Sequence, residues 1–221
     1  MIRNFGWLVI SGLLLFTAPA AAELTGAYKI TAGTNPDNMG SYTGRVDFEY
    51  VRGDVHRVLW MLESSPPARG LGFLVESNMF CAAFNPAGDV GLAVYSIEGG
   101  TLTGQWVDHT TDGYTGKEVL KGSPSLEGTY TIVSSSSPDP GEPSYAGSVE
   151  IHKNGENYQI RRIIGEKTYE GVALLKGRKL IVGWGPGAGV IYYNIKDNNL
   201  GGWWAIRGTP SMGTETLMRE E

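Results

Sequence analysis

The sequence contains a single cysteine, Cys81, which excludes an intramolecular disulfide framework. Its counterpart in the repeat described below is Ile181, so the position favours a buried, unreactive thiol. Histidine is also scarce: there are three, His56, His109 and His152, and no two stand at the spacing of metal ligands. We therefore expect no metal site and no cofactor.

The sequence also lacks an excess of basic charge. It has 18 Lys and Arg against 23 Asp and Glu, a net charge of −5. Nucleic-acid binding depends on clustered basic side chains that neutralise phosphates, and binding to an anionic membrane surface depends on the same feature. The balance argues against both kinds of partner.

Recognisable catalytic motifs are missing as well. The pair Asp108-His109, with Asp112 nearby, could orient an imidazole, but no serine nucleophile or oxyanion loop accompanies it. The glycine-rich stretch 183–189 lacks the lysine and the following helix that phosphate-binding loops require. A polar hairpin loop is the simpler interpretation of residues 108–112.

Long hydrophobic runs are confined to the first 22 residues. Arg3 precedes an apolar run, Leu8–Phe16, that is short for a membrane span, and Ala20–Ala22 offers small residues to a signal peptidase. We expect residues 1–22 to be a cleaved signal peptide, and no cysteine follows for a lipid anchor. The mature chain, with a net charge of about −6, is then periplasmic or secreted, with no membrane insertion, and the pattern fits a bacterial protein.

The strongest positive feature is an internal repeat. Gly91–Trp106, GLAVYSIEGGTLTGQW, corresponds to Gly189–Trp204, GVIYYNIKDNNLGGWW. Each copy continues with Gly-x-Glu-x-Leu, at 116–120 and at 213–217. Further matching blocks occur in the same order in both halves: Leu24–Ile30 with Leu126–Ile132, Tyr42–Val46 with Tyr145–Val149, His56–Trp60 with Tyr158–Arg162, and Phe80–Pro86 with Leu180–Pro186. Duplication of one unit accounts for this order.

Each copy is predicted to be almost entirely strand. The sequence has 32 glycines, shows no helical periodicity over a dozen residues, and carries short alternating runs about every 8–12 residues between Gly- or Asn-rich turns. We predict an all-β protein of two tandem repeats of about 100 residues, each an antiparallel meander that closes into an eight-stranded barrel. The predicted barrels are residues 23–120 and 126–221, with 121–125 as the linker. The alternative is one larger barrel, or a packed pair of sheets, built from both copies.

Short eight-stranded meanders with a Gly-x-Tyr start and a tryptophan in a late strand resemble calycin-type or avidin-like barrels. The resemblance concerns architecture. The Gly-x-Trp typical of lipocalin first strands is here Gly26-x-Tyr28 and Gly128-x-Tyr130, so no family site is carried over.

Side-chain alternation places a carboxylate inside each predicted barrel, because Glu118 and Glu215 share a face with their flanking Gly and Leu. A buried carboxylate must be paired or hydrogen-bonded. Trp60 in the first copy is replaced by Arg162 in the second, so we predict an Arg162–Glu215 ion pair. Glu118 would then be satisfied by Trp60 or Trp106, by Tyr28 or by water.

These glutamates have two interpretations. They either fasten the closing strand to its barrel or form the polar floor of a pocket lined by aromatic rings. Trp106 and Trp204 fit the core, and Trp184 lies beside a glycine loop at a barrel mouth. On the pocket interpretation, the candidate ligand-binding residues are Trp60, Trp106, Glu118, Arg162, Trp184, Trp204 and Glu215.

The sequence is compatible with three functions. The first is an exported, non-enzymatic binding protein for a small apolar or amphipathic ligand or for a protein partner, such as a secreted hydrolase that it inhibits. The second is an isomerase- or cyclase-type enzyme that uses an interior Glu with Arg162. The third is a structural envelope protein. The oligomeric state is open.

Overall fold

The computed structural model describes residues 24–63, 65–138, 143–197 and 199–220, with Asn38 described by its backbone alone. The predicted signal peptide, 1–22, lies outside the described residues. Within these ranges the chain forms sixteen strands and one 3-10 helix, Pro36–Asn38, and no helix is long and apolar enough to cross a membrane.

The first repeat supplies β1 (Gly26–Thr34), β2 (Ser41–Arg52), β3 (Val55–Leu62), β4 (Ala68–Val75), β5 (Met79–Asn85), β6 (Gly91–Glu98), β7 (Thr101–Asp108) and β8 (Gly116–Lys121). The second repeat supplies β9 (Gly128–Ser136), β10 (Gly147–Asn154), β11 (Asn157–Ile164), β12 (Lys167–Lys176), β13 (Lys179–Trp184), β14 (Gly189–Lys196), β15 (Asn199–Ile206) and β16 (Gly213–Arg219). The eight strands predicted for each repeat are therefore present.

The strands close into two antiparallel barrels of eight strands each. This confirms the predicted fold class and excludes the alternative of one larger barrel. The second barrel is a continuous meander, β6 to β13, closed by pairing of β13 with β6. The first barrel consists of β1–β5 together with β14–β16, closed by pairing of β14 with β5 and of β1 with β16.

The repeats and the barrels are thus offset by five strands, which corrects the predicted assignment of one repeat to one barrel. Each barrel takes five strands from one repeat and three from the other. Residues 121–125, expected to join two barrels, connect β8 to its neighbour β9 within the second barrel. The chain crosses between barrels at 86–90 and 185–188 instead. The exchange is possible because β6 and β14 are copies of one strand and can complete either barrel.

The two crossover segments lie side by side. Asn85, at the end of β5, is 2% exposed, and its Nδ2 donates to the backbone oxygen of Pro186 in the other crossover at 3.0 Å. The same group donates to Asp89 Oδ1 at 3.2 Å. A buried amide with these partners fixes the point at which the two strand exchanges pass each other.

Each barrel has its own apolar interior, and a third core forms where their outer faces pack together. This third core contains 17 buried residues from both barrels: Val55, Leu71, Phe73, Met79, Cys81, Ala83, Val90, Leu92, Val94, Val107, Val172, Leu174, Ile181, Ala188, Val190, Tyr192 and Ala205. Strands at this contact are buried on both faces, as β5 and β13 show. The barrels therefore share apolar core and are not independent globules.

Small side chains let the two sheets approach at the centre of this shared core. A Cβ on Gly183 would lie 3.1 Å from Cβ of Val190 and 3.3 Å from Cβ of Ala83. Cys81, nearby on β5, is fully buried and free, and burial raises the pKa of its thiol. The thiol is consequently the unreactive core group that the repeat predicted.

Loops and hairpins extend the contact between barrels in a reciprocal way. The guanidinium of Arg52, at the β2–β3 turn of the first barrel, lies 4.0 Å from the ring centre of Tyr114 in the β7–β8 loop of the second. Asn157 Nδ2, at the β10–β11 turn of the second barrel, donates to the oxygen of Thr209 in the first at 2.7 Å.

Candidate functional site

The repeated motif produces a cross-strand row in the second barrel. Tyr95 on β6 pairs with Gly104 on β7, and Gly104 pairs with Glu118 on β8. A Cβ on Gly104 would lie 2.7 Å from the Tyr95 ring, so the glycine leaves the space through which this ring reaches the carboxylate. The Tyr95 hydroxyl donates to Glu118 Oε2.

The first barrel contains the same row from the second repeat. Tyr193, Gly202 and Glu215 are paired on β14, β15 and β16, and the Tyr193 hydroxyl donates to Glu215 Oε1. The spacing of Tyr, Gly and Glu in the sequence is therefore explained by one hydrogen bond per barrel. Burial raises the pKa of both tyrosines, so their hydroxyls stay protonated as donors.

Arg162 completes the cluster in the second barrel. Its Nη2 lies 3.0 Å from Glu118 Oε1 and its Nη1 lies 3.1 Å from Oε2, and Nη1 also donates to Tyr95 at 2.8 Å. The Tyr145 hydroxyl on the β9–β10 segment donates to Oε1 at 3.1 Å. Each oxygen of Glu118 thus accepts two hydrogen bonds, and the carboxylate has a buried counter-charge in bidentate geometry.

An aromatic ring supports this ion pair. The guanidinium carbon of Arg162 lies 4.8 Å from the ring centre of Trp184, which is 7% exposed. Burial disfavours the charged guanidinium, but Tyr95 and Glu118 outweigh it and hold the pKa of Arg162 above its ordinary value. Arg162 is therefore held as a cation between Glu118 and an aromatic face.

The first barrel satisfies its carboxylate with neutral donors. The indole Nε1 of Trp60 donates to Glu215 Oε1 at 3.2 Å, and the hydroxyl of Tyr42 donates to Oε2 at 2.9 Å. Glu215 is 2% exposed and has no ion pair among the described residues. Burial raises the pKa of Glu215, although the hydrogen bonds from Tyr193, Tyr42 and Trp60 oppose this.

The predicted Arg162–Glu215 pair is therefore wrong, as is the prediction that Trp60, Trp106 or Tyr28 satisfies Glu118. Arg162 pairs with Glu118, and Trp60 bonds to Glu215. The reason is the strand exchange, which puts β11 of the second repeat in one barrel with β8 of the first. It likewise puts β3 of the first repeat in one barrel with β16 of the second.

The seven predicted site residues all lie at the barrel interiors, but in two separate groups. Trp106, Glu118, Arg162 and Trp184 belong to the second barrel, and Trp60, Trp204 and Glu215 belong to the first. Four tyrosines of these clusters were not predicted: Tyr42, Tyr95, Tyr145 and Tyr193. Their signal was present, since Tyr42 matches Tyr145 and Tyr95 matches Tyr193 in the two copies.

A cleft of about 660 Å³ opens at the end of the second barrel where the β9–β10 and β11–β12 connections lie. Its walls are aromatic (Trp106, Tyr145, Tyr169 and Trp184) and its charged residues are Asp108, Arg162, Glu166 and Lys167. The buried indole Nε1 of Trp106 has no hydrogen-bond partner within the described residues. A Cβ on Gly116 would lie 2.4 Å from this nitrogen, so it is packed against β8, and Trp204 Nε1 of the first barrel is buried over Gly213 in the same way. Aromatic walls around an Arg162 floor are features of small-molecule sites.

The corresponding end of the first barrel is nearly filled. Its cavity measures about 70 Å³ and is lined by aromatic rings together with Glu215. Phe84, which matches Trp184 in the other copy, packs against Trp60 with ring centres 5.2 Å apart. At this end the two barrels, although built on one motif, therefore differ: the second has an open cleft and the first a small cavity.

In the part of the chain that the structure describes, no group of three or more His, Cys, Asp or Glu side chains could hold a metal ion. Comparison with protein-family models found no match, and comparisons with curated proteins and with solved structures found none either.

Proposed function

We propose that the protein is an exported, non-enzymatic binding protein whose ligand is a small amphipathic molecule held in the cleft of the second barrel. The cleft volume of about 660 Å³ supports this, because sites for small molecules usually measure about 300–1,000 Å³. The export part of the proposal rests on the sequence pattern of residues 1–22.

The observation that carries the proposal is the difference between the barrels at one position. The first barrel fills its interior with Trp60 packed on Phe84. The second barrel has Arg162 and Trp184 at these positions, and a cleft lies above them. A purely structural duplication gives no reason to open one barrel and place a buried cation at its floor.

The ligand's chemistry follows from the residues that line the cleft. Flat rings suit an aromatic or otherwise apolar body. Arg162 is already neutralised by Glu118. A neutral acceptor group therefore fits this floor better than a strong anion, which would compete with Glu118 for the guanidinium.

The enzyme alternative receives less support. Both oxygens of Glu118 accept two hydrogen bonds, and its side chain is fully buried. A carboxylate held in this way is a poor general base, because taking up a proton would break a bidentate pair with Arg162. Glu215 lies in the other barrel and cannot act together with Arg162.

The test is native mass spectrometry of the protein purified from its own host, followed by denaturation to release bound compounds. We expect a stoichiometric small molecule on the wild type, lost in Trp106→Ala, which removes one aromatic wall of the cleft. Trp203→Ala is the matched control, because Trp203 is 42% exposed on the first barrel. A released molecule retained by Trp106→Ala, or a co-purified protein in its place, would contradict the proposal.

A further inference from the structure

Glu215 is a buried carboxyl group for which the described residues supply no positive charge. Its Oε1 accepts hydrogen bonds from Tyr193 and Trp60, whereas its Oε2 accepts one, from Tyr42. In the second barrel each oxygen of the equivalent Glu118 accepts two. The two clusters therefore differ at Oε2 of Glu215, which has one acceptor position to which no described residue donates.

A small cavity adjoins this carboxyl group. It measures about 70 Å³, and its walls include the rings of Tyr42, Trp60, Phe84 and Trp204 together with Glu215. Since one water needs about 10–15 Å³ measured this way, the cavity has room for a group of a few heavy atoms. Aromatic rings and a carboxyl group in the wall of one cavity are the chemistry that recognises organic cations.

The second barrel shows what the same cluster does when a cation is present. There the guanidinium of Arg162 bonds to both oxygens of Glu118 and lies 4.8 Å from the ring centre of Trp184. Trp184 and Phe84 are equivalent in the two copies, as are Glu118 and Glu215. In the first barrel the indole of Trp60 takes the place of this guanidinium, between Phe84 and Glu215, and the small cavity lies beside it. The same carboxyl group and ring are therefore present there without a cation from the described residues.

We propose that the first barrel binds a small alkylammonium ion, with its positive nitrogen against Glu215 Oε2 and its carbon atoms against Trp204, Phe84 and Tyr42. A weakly hydrated organic cation suits this site better than Na⁺ or K⁺, because the walls offer ring faces and a single free carboxyl position rather than a shell of oxygen ligands. The size of the cavity restricts the buried part to a methylated or primary ammonium group. This site is separate from the second-barrel cleft, so its test is independent of the proposed function.

The experiment titrates the full-length protein with methylammonium chloride at constant ionic strength, replacing NaCl, and follows tryptophan fluorescence and heat of binding. We expect saturable binding of one ion per chain and a loss of at least about tenfold in affinity for Glu215→Gln. Glu98→Gln makes the same change in net charge at an exposed position of β6 and should bind as the wild type does. Methanol, which is similar in size and uncharged, should not bind.

If Glu215→Gln does not fold, a second variant and the wild-type titration still test the proposal. Phe84→Leu removes one ring while keeping an apolar wall, and we expect weaker methylammonium binding with the fold retained. Wild-type protein that shows no saturation with methylammonium would overturn the proposal. So would equal affinity for methanol, or equal losses in Glu98→Gln and Glu215→Gln, because binding would then not depend on the charge of Glu215.

Discussion

Arg162 of the second repeat lies 3.0 Å from Glu118 of the first, and Trp60 of the first repeat donates to Glu215 of the second at 3.2 Å. Both contacts cross from one sequence repeat to the other, so neither interior network can form within a single repeat. The strand exchange between β6 and β14 is therefore also what assembles the polar clusters.

Cleavage of the backbone between residues 122 and 125 should leave one stable complex of the two fragments. This segment connects β8 to β9 inside the second barrel, while each barrel draws strands from both fragments. Native mass spectrometry and size exclusion after insertion and cutting of a protease site would check this. Fragments that separate and remain folded would mean that each repeat closes its own barrel.

Replacement of Arg162 by Leu should lower the free energy of unfolding by about 3–5 kcal/mol, because Glu118 would stay buried without its counter-charge. The neighbouring Arg161→Leu is the control. Its side chain is 47% exposed and pairs with Glu150 at 3.4 Å, so its loss should cost at most about 1 kcal/mol. Urea unfolding measures both. The double variant Arg162→Leu with Glu118→Gln should recover part of the loss, and equal costs at 161 and 162 would contradict the buried pair.

Alanine at Gly202 should destabilise the protein, whereas alanine at the adjacent Gly201 should not. A Cβ on Gly202 would lie 2.1 Å from the oxygen of Tyr192 and 2.9 Å from the ring of Tyr193, while a Cβ on Gly201 meets no atom within 4 Å. We expect a loss of about 1–3 kcal/mol at 202, from overpacking, and little change at 201. Thermal and urea unfolding of the two variants would check this, and equal stabilities would argue against a tyrosine over Gly202.

The stability of the wild type should fall, relative to Glu215→Gln, as the pH rises above 4.5, the ordinary pKa of this group. Burial raises the pKa of Glu215 in the folded state, so the unfolded chain loses the proton first as pH rises. The stabilisation is complete below pH 4.5 and is lost as the pH rises through the pKa of the folded state. The free energy lost is about 1.4 kcal/mol for each unit by which the folded pKa exceeds the unfolded one. Tyr42 and Tyr193, which face Glu215, stay protonated throughout, because their pKa values are raised too.

Urea unfolding of both proteins at a series of pH values measures this difference. A gap that is constant with pH, or that widens in favour of the wild type as pH rises, would contradict a raised pKa for Glu215. Methylammonium should reduce the loss at higher pH, because it would bind the ionised carboxylate.

The local pattern of the sequence was sufficient for much of the candidate site. Period-two alternation placed Glu118 and Glu215 inside barrels, and the replacement of Trp60 by Arg162 identified the position at which the barrels differ. The tyrosines that hold the carboxylates were not predicted, because Tyr95 reaches Glu118 across Gly104, two strands away, and strand register is needed to see this.

Taken by itself, the sequence determined the number of strands, the face of each side chain and the duplication, because these depend on local alternation and on turn residues. Which strands close which barrel was decided only by the tertiary structure. β6 and β14 present the same alternating pattern, so pairing with β5 or with β13 is equivalent at the level of sequence. The pairing found in three dimensions puts the barrels in close contact, where Ala83 and Gly183 let the sheets approach, and it gives Arg162 its partner Glu118.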